Sequence, residues 1–313
     1  MKIVDLHCDT IGEIIDGKDV ELRSNNLAID IGKLKKGNSL LQFFALFVYL
    51  EKYPKAFNRA MDMLNVFYKE IEKNNYEIAV AKNYNDLKKN MEEQKISAIL
   101  TIEEGEAIEG SINNLRNFYD LGVRLMTLTW NFENSIGYPN CEPSLMKKGL
   151  KPFGIETVEE MNKLGMLVDV SHLSDGGFWD VVKYSKDPFV ASHSNCRSIC
   201  NHPRNLTDDM IKALSEKGGI MGLNFAKDFL IEDGSISAVD DMVKHIKHMH
   251  NVGGIDVIAL GTDFDGIDPE NLEINNMGEI SKLIDGLIKA GFKESQIDKI
   301  ISDNALRVIK DVL

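Results

Sequence analysis

Cysteine is scarce: the 313 residues include four, and none of Cys8, Cys141, Cys196 and Cys200 forms a C-x-x-C pair or a secreted-type spacing. A disulfide framework is therefore excluded and the thiols read as reduced. Cys196 and Cys200, four apart after a histidine, are expected to be small buried hydrophobes and not metal ligands. Excess base is also missing. Lysine and arginine total 36 against 49 acids, a formal net charge of −13, which excludes nucleic acid or an anionic membrane as the main partner. The apolar run at residues 39–50 is too short to span a bilayer. With His7 so close to Met1 there is no room for a signal peptide, and a cytoplasmic protein is expected. No low-complexity segment or repeat of solenoid period occurs.

What the chain does have is apolar residues, 43% of the total, enough for a large core. They fall in short runs at residues 3–9, 40–50, 96–103, 123–130, 166–172, 188–193, 219–225 and 257–263. Runs of this length, rich in Val and Ile and bounded by Gly or Pro, have the pattern of strands buried on both faces. Helical periodicity fills the intervals, as at 55–74, 113–121, 155–164 and 238–251, and residues 76–90 read as a short strand and helix added at the edge. Residues 131–153 are rich in Asn, Gly and Pro and read as a long loop, which on a compact domain is commonly functional. Eight strand runs alternating with helices, without a linker or a shift in composition, predict a single α/β domain over 1–313, a (β/α)8 TIM barrel.

The runs Met166-Leu-Val-Asp-Val-Ser-His172 and Pro188-Phe-Val-Ala-Ser-His193 flank a capped helix, so the two strands are parallel and both histidines end on one rim. Collecting the last polar residues of the other strands adds His7, Asp9, Glu103 and Asp263. His7 and Asp9 are two apart and share a strand face. Metal-ligand types at five of eight strand ends are a recurrence that scatter does not produce. Five ligands exceed the three that a mononuclear catalytic zinc site takes from protein, so two ions are expected, with a carboxylate as bridge. Imidazoles mixed with oxygen ligands suit zinc, with manganese or cobalt as substitutes. Glu103 competes with Glu104 and Glu106 at its strand end; strand phase, together with the family resemblance that follows, favours Glu103 and leaves the other two to solvent. His245, His248 and His250, spaced by three and two on one helix, do not share a face and read as a solvated or partly packed surface.

These motifs resemble the membrane (renal) dipeptidase family of zinc peptidases, peptidase family M19, over almost the whole length. The resemblance rests on Asp5-Leu-His-Cys-Asp9, Ile102-Glu-Glu-Gly-Glu106, Val168-Asp-Val-Ser-His-Leu-Ser174, Ala191-Ser-His-Ser194, Pro203-Arg-Asn205 and Gly261-Thr-Asp-Phe-Asp-Gly266. It implies a barrel of the metal-dependent hydrolase type in which His7, Asp9 and Glu103 hold one zinc and Glu103, His172 and His193 hold the other. It implies Asp263 as the proton-transfer residue and Arg204 as the group that binds the carboxylate of a dipeptide, while Asp265, beside Gly266, reads as a structural turn residue. A homodimer is expected from relatives. Peptide-bond hydrolysis by a hydroxide shared between the two ions follows, with Asp263 carrying the proton to the amine.

One position departs from the family. Where relatives have Leu-Thr-His after the fourth strand, this chain has Leu128-Thr-Trp130-Asn131. Trp130 is expected to line the pocket wall, and Asn131, Asn134 and His202 are the candidates for the missing substrate hydrogen bond. The alternatives are hydrolysis of another small amide or lactam on the same ion pair, and a catalytically impaired barrel that serves as a binding protein.

Overall fold

Each apolar run becomes one strand of a single parallel sheet. The computed structural model describes residues 1–17 and 20–313. Its strands are β1 (Ile3–Asp5), β2 (Ser39–Phe47), β3 (Ile78–Val80), β4 (Ile96–Glu103), β5 (Val123–Thr127), β6 (Leu167–Asp169), β7 (Val190–Ala191), β8 (Ile220–Leu223) and β9 (Ile258–Leu260). They pair in the order β2-β1-β9-β8-β7-β6-β5-β4, and β2 pairs again with β4 from Leu41↔Ser97 to Phe47↔Glu103. Eight strands thus close into a (β/α)8 barrel. The short edge strand β3 takes the first part of β4 only (Ile78↔Ile96 to Val80↔Ala98), leaving the rest for β5 (Leu100↔Val123 to Glu103↔Thr127).

The strands are buried on both faces because helices cover the sheet. Leu41 and Phe43 of β2, Ile99 of β4, Leu125 of β5 and Leu167 of β6 share one apolar cluster with the last helix, Asn304–Val312, whereas Phe44, Leu46, Leu100, Ile102 and Met126 belong to the other. That period-two division is the reason these strands read as near-continuous apolar runs. Helix starts follow their capping residues: Ser174 accepts from the Gly177 amide ahead of Asp175–Tyr184, and Thr207 from Met210 ahead of Asp208–Glu216. Residues 131–151 form the long loop, in which Pro139 bridges to Leu173. Among the described residues no helix is long and apolar enough to cross a membrane.

Apart from β4, the strands are shorter than their apolar runs. β1 ends at Asp5, β6 at Asp169 and β7 at Ala191, so the predicted ligands stand in the turns just beyond, except Glu103, which is the last residue of β4. Asp9 does not share a strand face with His7 as expected. It occupies the N-cap position of the helix Thr10–Asp16, and its side chain makes no capping bond.

Three strands crowd one carbonyl under this rim. A Cβ at Gly222 would lie 1.9 Å from the Ser192 carbonyl oxygen and a Cβ at Gly261 1.7 Å from it, so only glycine lets β8 and β9 approach the segment that carries His193. Gly261→Ala should cost about 1–3 kcal/mol through the forced backbone shift. Thermal denaturation checks it, and an unchanged midpoint would show that the barrel relaxes there without strain.

Candidate active site

The six residues predicted from strand ends all meet at the C-terminal mouth of the barrel, and all are buried. The Nε2 atom of His7 lies 3.2 Å from Asp9 Oδ2, 3.3 Å from Glu103 Oε2 and 3.8 Å from Asp263 Oδ1. The other oxygen of Glu103, Oε1, lies 3.2 Å from His172 Nε2 and 3.5 Å from His193 Nε2. The two latter nitrogens are 3.1 Å apart. Glu103 therefore turns one oxygen to each of two groups. The turns that aim the groups carry left-handed backbone, with φ of 67° at His172, 60° at Asp263 and 92° at Glu104, conformations that cost of order 1–3 kcal/mol each.

Hydrogen bonding on the far side of each ring fixes what faces inward. Ser192 Oγ is 2.5 Å from Asp169 Oδ2 and 2.7 Å from His193 Nδ1. A carboxylate only accepts, so the hydroxyl donates to Asp169 and His193 Nδ1 donates to the hydroxyl. The Asp169 carboxylate also accepts from Thr127 Oγ1 and from the amides of Ser171 and Ser192. His172 Nδ1 likewise faces Asn131 Oδ1 at 2.9 Å. Both imidazoles then present an Nε2 lone pair to the other and to Glu103 Oε1, three acceptors with no hydrogen between them. Burial lowers the pKa of His172 to about 3 and holds that of His193 well below the ordinary imidazole value, with Arg204 and His7 adding to the effect, so neither ring supplies a proton.

On the other side burial disfavours charge on His7, but Glu103 and Asp9 outweigh it and raise its pKa well above the ordinary value. Burial, with neighbouring carboxylates, raises Asp9 to about 6 and Asp263 to about 7 against the lowering effect of His7. Asp9 Oδ1 and His7 Nδ1 are buried without a partner. Such a cluster requires positive charge, and divalent cations displace protons from ligand sets of this kind. His7, Glu103 and His193, and separately His7, Asp9 and Asp263, bring ligand atoms within 4.8 Å of one another. The donor set fits metal ions.

Above the cluster is a cavity of about 550 Å³, lined among others by Asp9, Asp16, Phe47, Tyr49, Arg59, Glu103, Trp130, Asn131, His172, Asp228, Phe229 and Asp263. Arg204 is not on its wall. It is buried over the Phe229 ring (5.3 Å), donates from Nη2 to the His193 carbonyl, and leaves Nε and Nη1 unpaired. His202 stacks on the same phenyl ring at 4.7 Å, and its Nδ1 accepts from the Arg204 amide. The sequence profile of the membrane dipeptidase family, peptidase family M19, matches residues 1–313. The chain belongs to that family.

Its relatives include an uncharacterised protein of Klebsiella pneumoniae, 34% identical over 72% of this chain and 86% of that one. An uncharacterised dipeptidase of Schizosaccharomyces pombe is 36% identical over 69% of this chain, which spans about half (53%) of that protein. Among solved structures, a metallo peptidase of Rhodobacter sphaeroides bound to a phosphinate mimic of L-Ala-D-Ala covers 100% of this chain and 99% of its own at 23% identity, with a TM-score of 0.91.

Within this M19 site, several residues differ from their expected setting. Glu104 is not solvated: Oε1 accepts from Asn134 Nδ2 (2.5 Å) and the Glu106 amide, and Oε2 accepts from the Trp130 amide. It pins the long loop to the end of β4. The left-handed turn at Glu104 directs it inward, which strand phase alone does not anticipate. Asn134 is spent in that tie, bonding also to the Leu128 carbonyl, so it is not available to substrate. His245 is fully buried, between the Cys196 amide and the Leu230 carbonyl, because it faces the barrel while His248 pairs outward with Asp208. Asp265 is structural as expected, accepting from Thr10 Oγ1 and the Ala28 amide. Asp169, Ser192 and Asn224 were not singled out. The first two lie inside the histidine motifs, and Asn224, a polar residue just past β8, donates 2.8 Å to Asp263 Oδ2.

Burial raises the Glu104 pKa to about 7 despite its three donors. A folded pKa above the unfolded value means that its proton favours the fold below about pH 4.5, a contribution lost as pH rises through about 7. In chemical denaturation at pH 5 and pH 8, wild type should lose on the order of 1–3 kcal/mol more than Glu104→Gln. Parallel pH dependence in the two proteins would mean that Glu104 titrates as an exposed carboxylate.

Proposed function

We propose that this chain is a metal-dependent dipeptidase, one domain over residues 1–313, that hydrolyses the peptide bond of unblocked dipeptides with two zinc ions. The observation that carries this reading is the split carboxylate of Glu103, which turns Oε2 to His7 Nε2 and Oε1 to the unprotonated Nε2 atoms of His172 and His193. His7, Asp9 and Glu103 would hold one cation, and Glu103, His172 and His193 the other, with manganese or cobalt able to substitute. Such a pair would supply Lewis acidity at the scissile carbonyl and a water acidic enough to be nucleophilic at neutral pH.

The chain's own groups supply the rest. Asp263 lines the cavity while Asn224 holds its Oδ2, which leaves Oδ1 to take the proton of the attacking water and pass it to the departing amine. Asn131 has committed its Oδ1 to His172, so its amide N–H groups remain for the substrate carbonyl oxygen. Arg204 lies behind the Phe229 ring that lines the cavity, and its unpaired Nε and Nη1 are buried donors that a substrate carboxylate would satisfy on reaching past that ring. His202 supports that arginine through its backbone amide. A cavity of about 550 Å³ suits a substrate of two residues.

Elemental analysis of the purified protein should find about two metals per chain together with hydrolysis of free dipeptides. Cyclic-amide hydrolysis without dipeptide hydrolysis would replace the substrate class. Asp263→Asn should keep its metal and lose about 10²–10⁴-fold in kcat; near-normal turnover removes Asp263 from proton transfer, and loss of metal makes it a ligand. Glu103→Gln should fail to hold the pair, and unchanged stoichiometry in that variant would place the bridge elsewhere.

A further inference from the structure

The cavity mouth is chemically lopsided. The run of β2 ends in Phe47-Val48-Tyr49, and the run of β5 continues through Trp130-Asn131-Phe132. Phe47 and Trp130 have ring centroids 4.9 Å apart, Tyr49 and Trp130 5.7 Å, Trp130 and Phe132 5.6 Å, and Tyr49 and Phe132 5.9 Å. All four rings are half-buried, unlike Phe43, Phe44, Phe67, Phe118 and Phe178, which are fully buried in the core. Three of the four line the cavity. The indole stands 6.0 Å from the His172 ring, and its backbone is fixed by Glu104, so the wall is formed before anything binds.

Strand order locates this wall relative to Arg204. In the barrel β4 lies between β2 and β5, and β8 is the fourth strand round from β4 in either direction. Arg204 follows β7 and lies over Phe229, which follows β8. It is therefore across the mouth from the four rings. Asp9, Glu13 and Asp16, which follow β1, line the sector next to β2. A dipeptide whose carboxylate reaches Arg204 and whose scissile amide lies over Glu103 extends its first residue toward the rings, with its ammonium on the side of Asp9 and Glu13, since Asp16 is already paired with Lys52 and Arg59.

We propose that Phe47, Tyr49, Trp130 and Phe132 form a specificity wall that selects a large apolar or aromatic side chain on the N-terminal residue of the dipeptide. The inference rests on the dipeptidase reading above. An aromatic ring entering such a cluster gains edge and offset contacts beyond simple area burial, and the half-buried rings, which pack on one another, keep part of their surface open to a ligand in the cavity.

The test is a dipeptide panel of Phe-Ala, Leu-Ala, Gly-Ala and Ala-Phe, with the second residue in L and D form, on the metal-loaded wild type, Trp130→Ala and Phe47→Leu. In wild type kcat/KM for Phe-Ala should exceed that for Gly-Ala and Ala-Phe by about tenfold or more, and that ratio should collapse in the variants, mainly through KM. The second readout is binding. The chain has two tryptophans, and Trp179 lies exposed on the helix Asp175–Tyr184. A phosphinate analogue of Phe-Ala should change the emission of Trp179→Phe, which retains only Trp130, more than an analogue of Gly-Ala does. Hydrolysis without an N-terminal preference, a preference for Ala-Phe, or a preference that survives both substitutions overturns this inference and leaves the dipeptidase reading standing. Hydrolysis of no dipeptide ends both.

Discussion

Three hydrogen-bond acceptors meet at the floor of the mouth with no hydrogen to share: Glu103 Oε1, His172 Nε2 and His193 Nε2 lie within 3.1–3.5 Å of one another. Buried lone pairs that face each other repel, and a folded chain does not keep them so without compensation. The structure removes the usual escape, protonation of a ring, by burying both imidazoles and committing their Nδ1 hydrogens outward. Cations are the compensation that remains, and most of the architecture around the mouth is explained by the need to hold the acceptors in place before cations arrive.

The holding is done by carboxylates that are not themselves near the centre of the cluster. Asp169 gathers β5, β6 and β7 by accepting from Thr127, Ser171 and Ser192. Asp5 does the same for β1, β2 and β9, accepting from Gln42 and from the amide and hydroxyl of Thr262. A buried carboxylate is costly by several kcal/mol unless its lone pairs are satisfied, and each of these is. Each ties strands that lead into candidate ligands to their neighbours, Asp169 at β6 and β7 and Asp5 at β1, so barrel closure sets the positions from which the turns aim the ligands. Gly222 and Gly261 extend the same logic to the backbone, since the Ser192 carbonyl beneath them leaves no room for a side chain.

The barrel was legible in the sequence because strands covered on both faces leave continuous apolar runs, and all eight such runs became barrel strands. The cluster was legible because its members are metal-ligand types that recur at the ends of those runs. What the pattern missed depends on direction, not on identity. Glu104 follows Glu103 and strand phase points it outward, but a φ of 92° turns it back beneath the loop. His245 shares a helix with two other histidines whose spacing suggests no common face, and tertiary packing puts it alone inside, against Cys196 and Leu230. Asp9 reaches His7 through the start of a helix and not along a strand. One-dimensional periodicity holds within an element and fails at its ends, which is where this site is built.

The mouth therefore has two layers with different origins. The floor is made by residues in or just beyond the strands, cross-braced by Asp169 and Asp5, and a change there alters charge balance, ligand spacing and barrel closure together. The wall is made by side chains on the segments that follow β2 and β5, where a ring can be exchanged without touching a carboxylate of the floor. Glu104 joins the layers: it stands next to Glu103 in the chain, yet its carboxylate receives the amide of Trp130 and the side chain of Asn134. Because both oxygens of that carboxylate are occupied on the loop side, the loop that carries the indole takes its position from the same strand that carries Glu103. A ring on these segments can therefore be exchanged while the strands hold the acceptor geometry underneath.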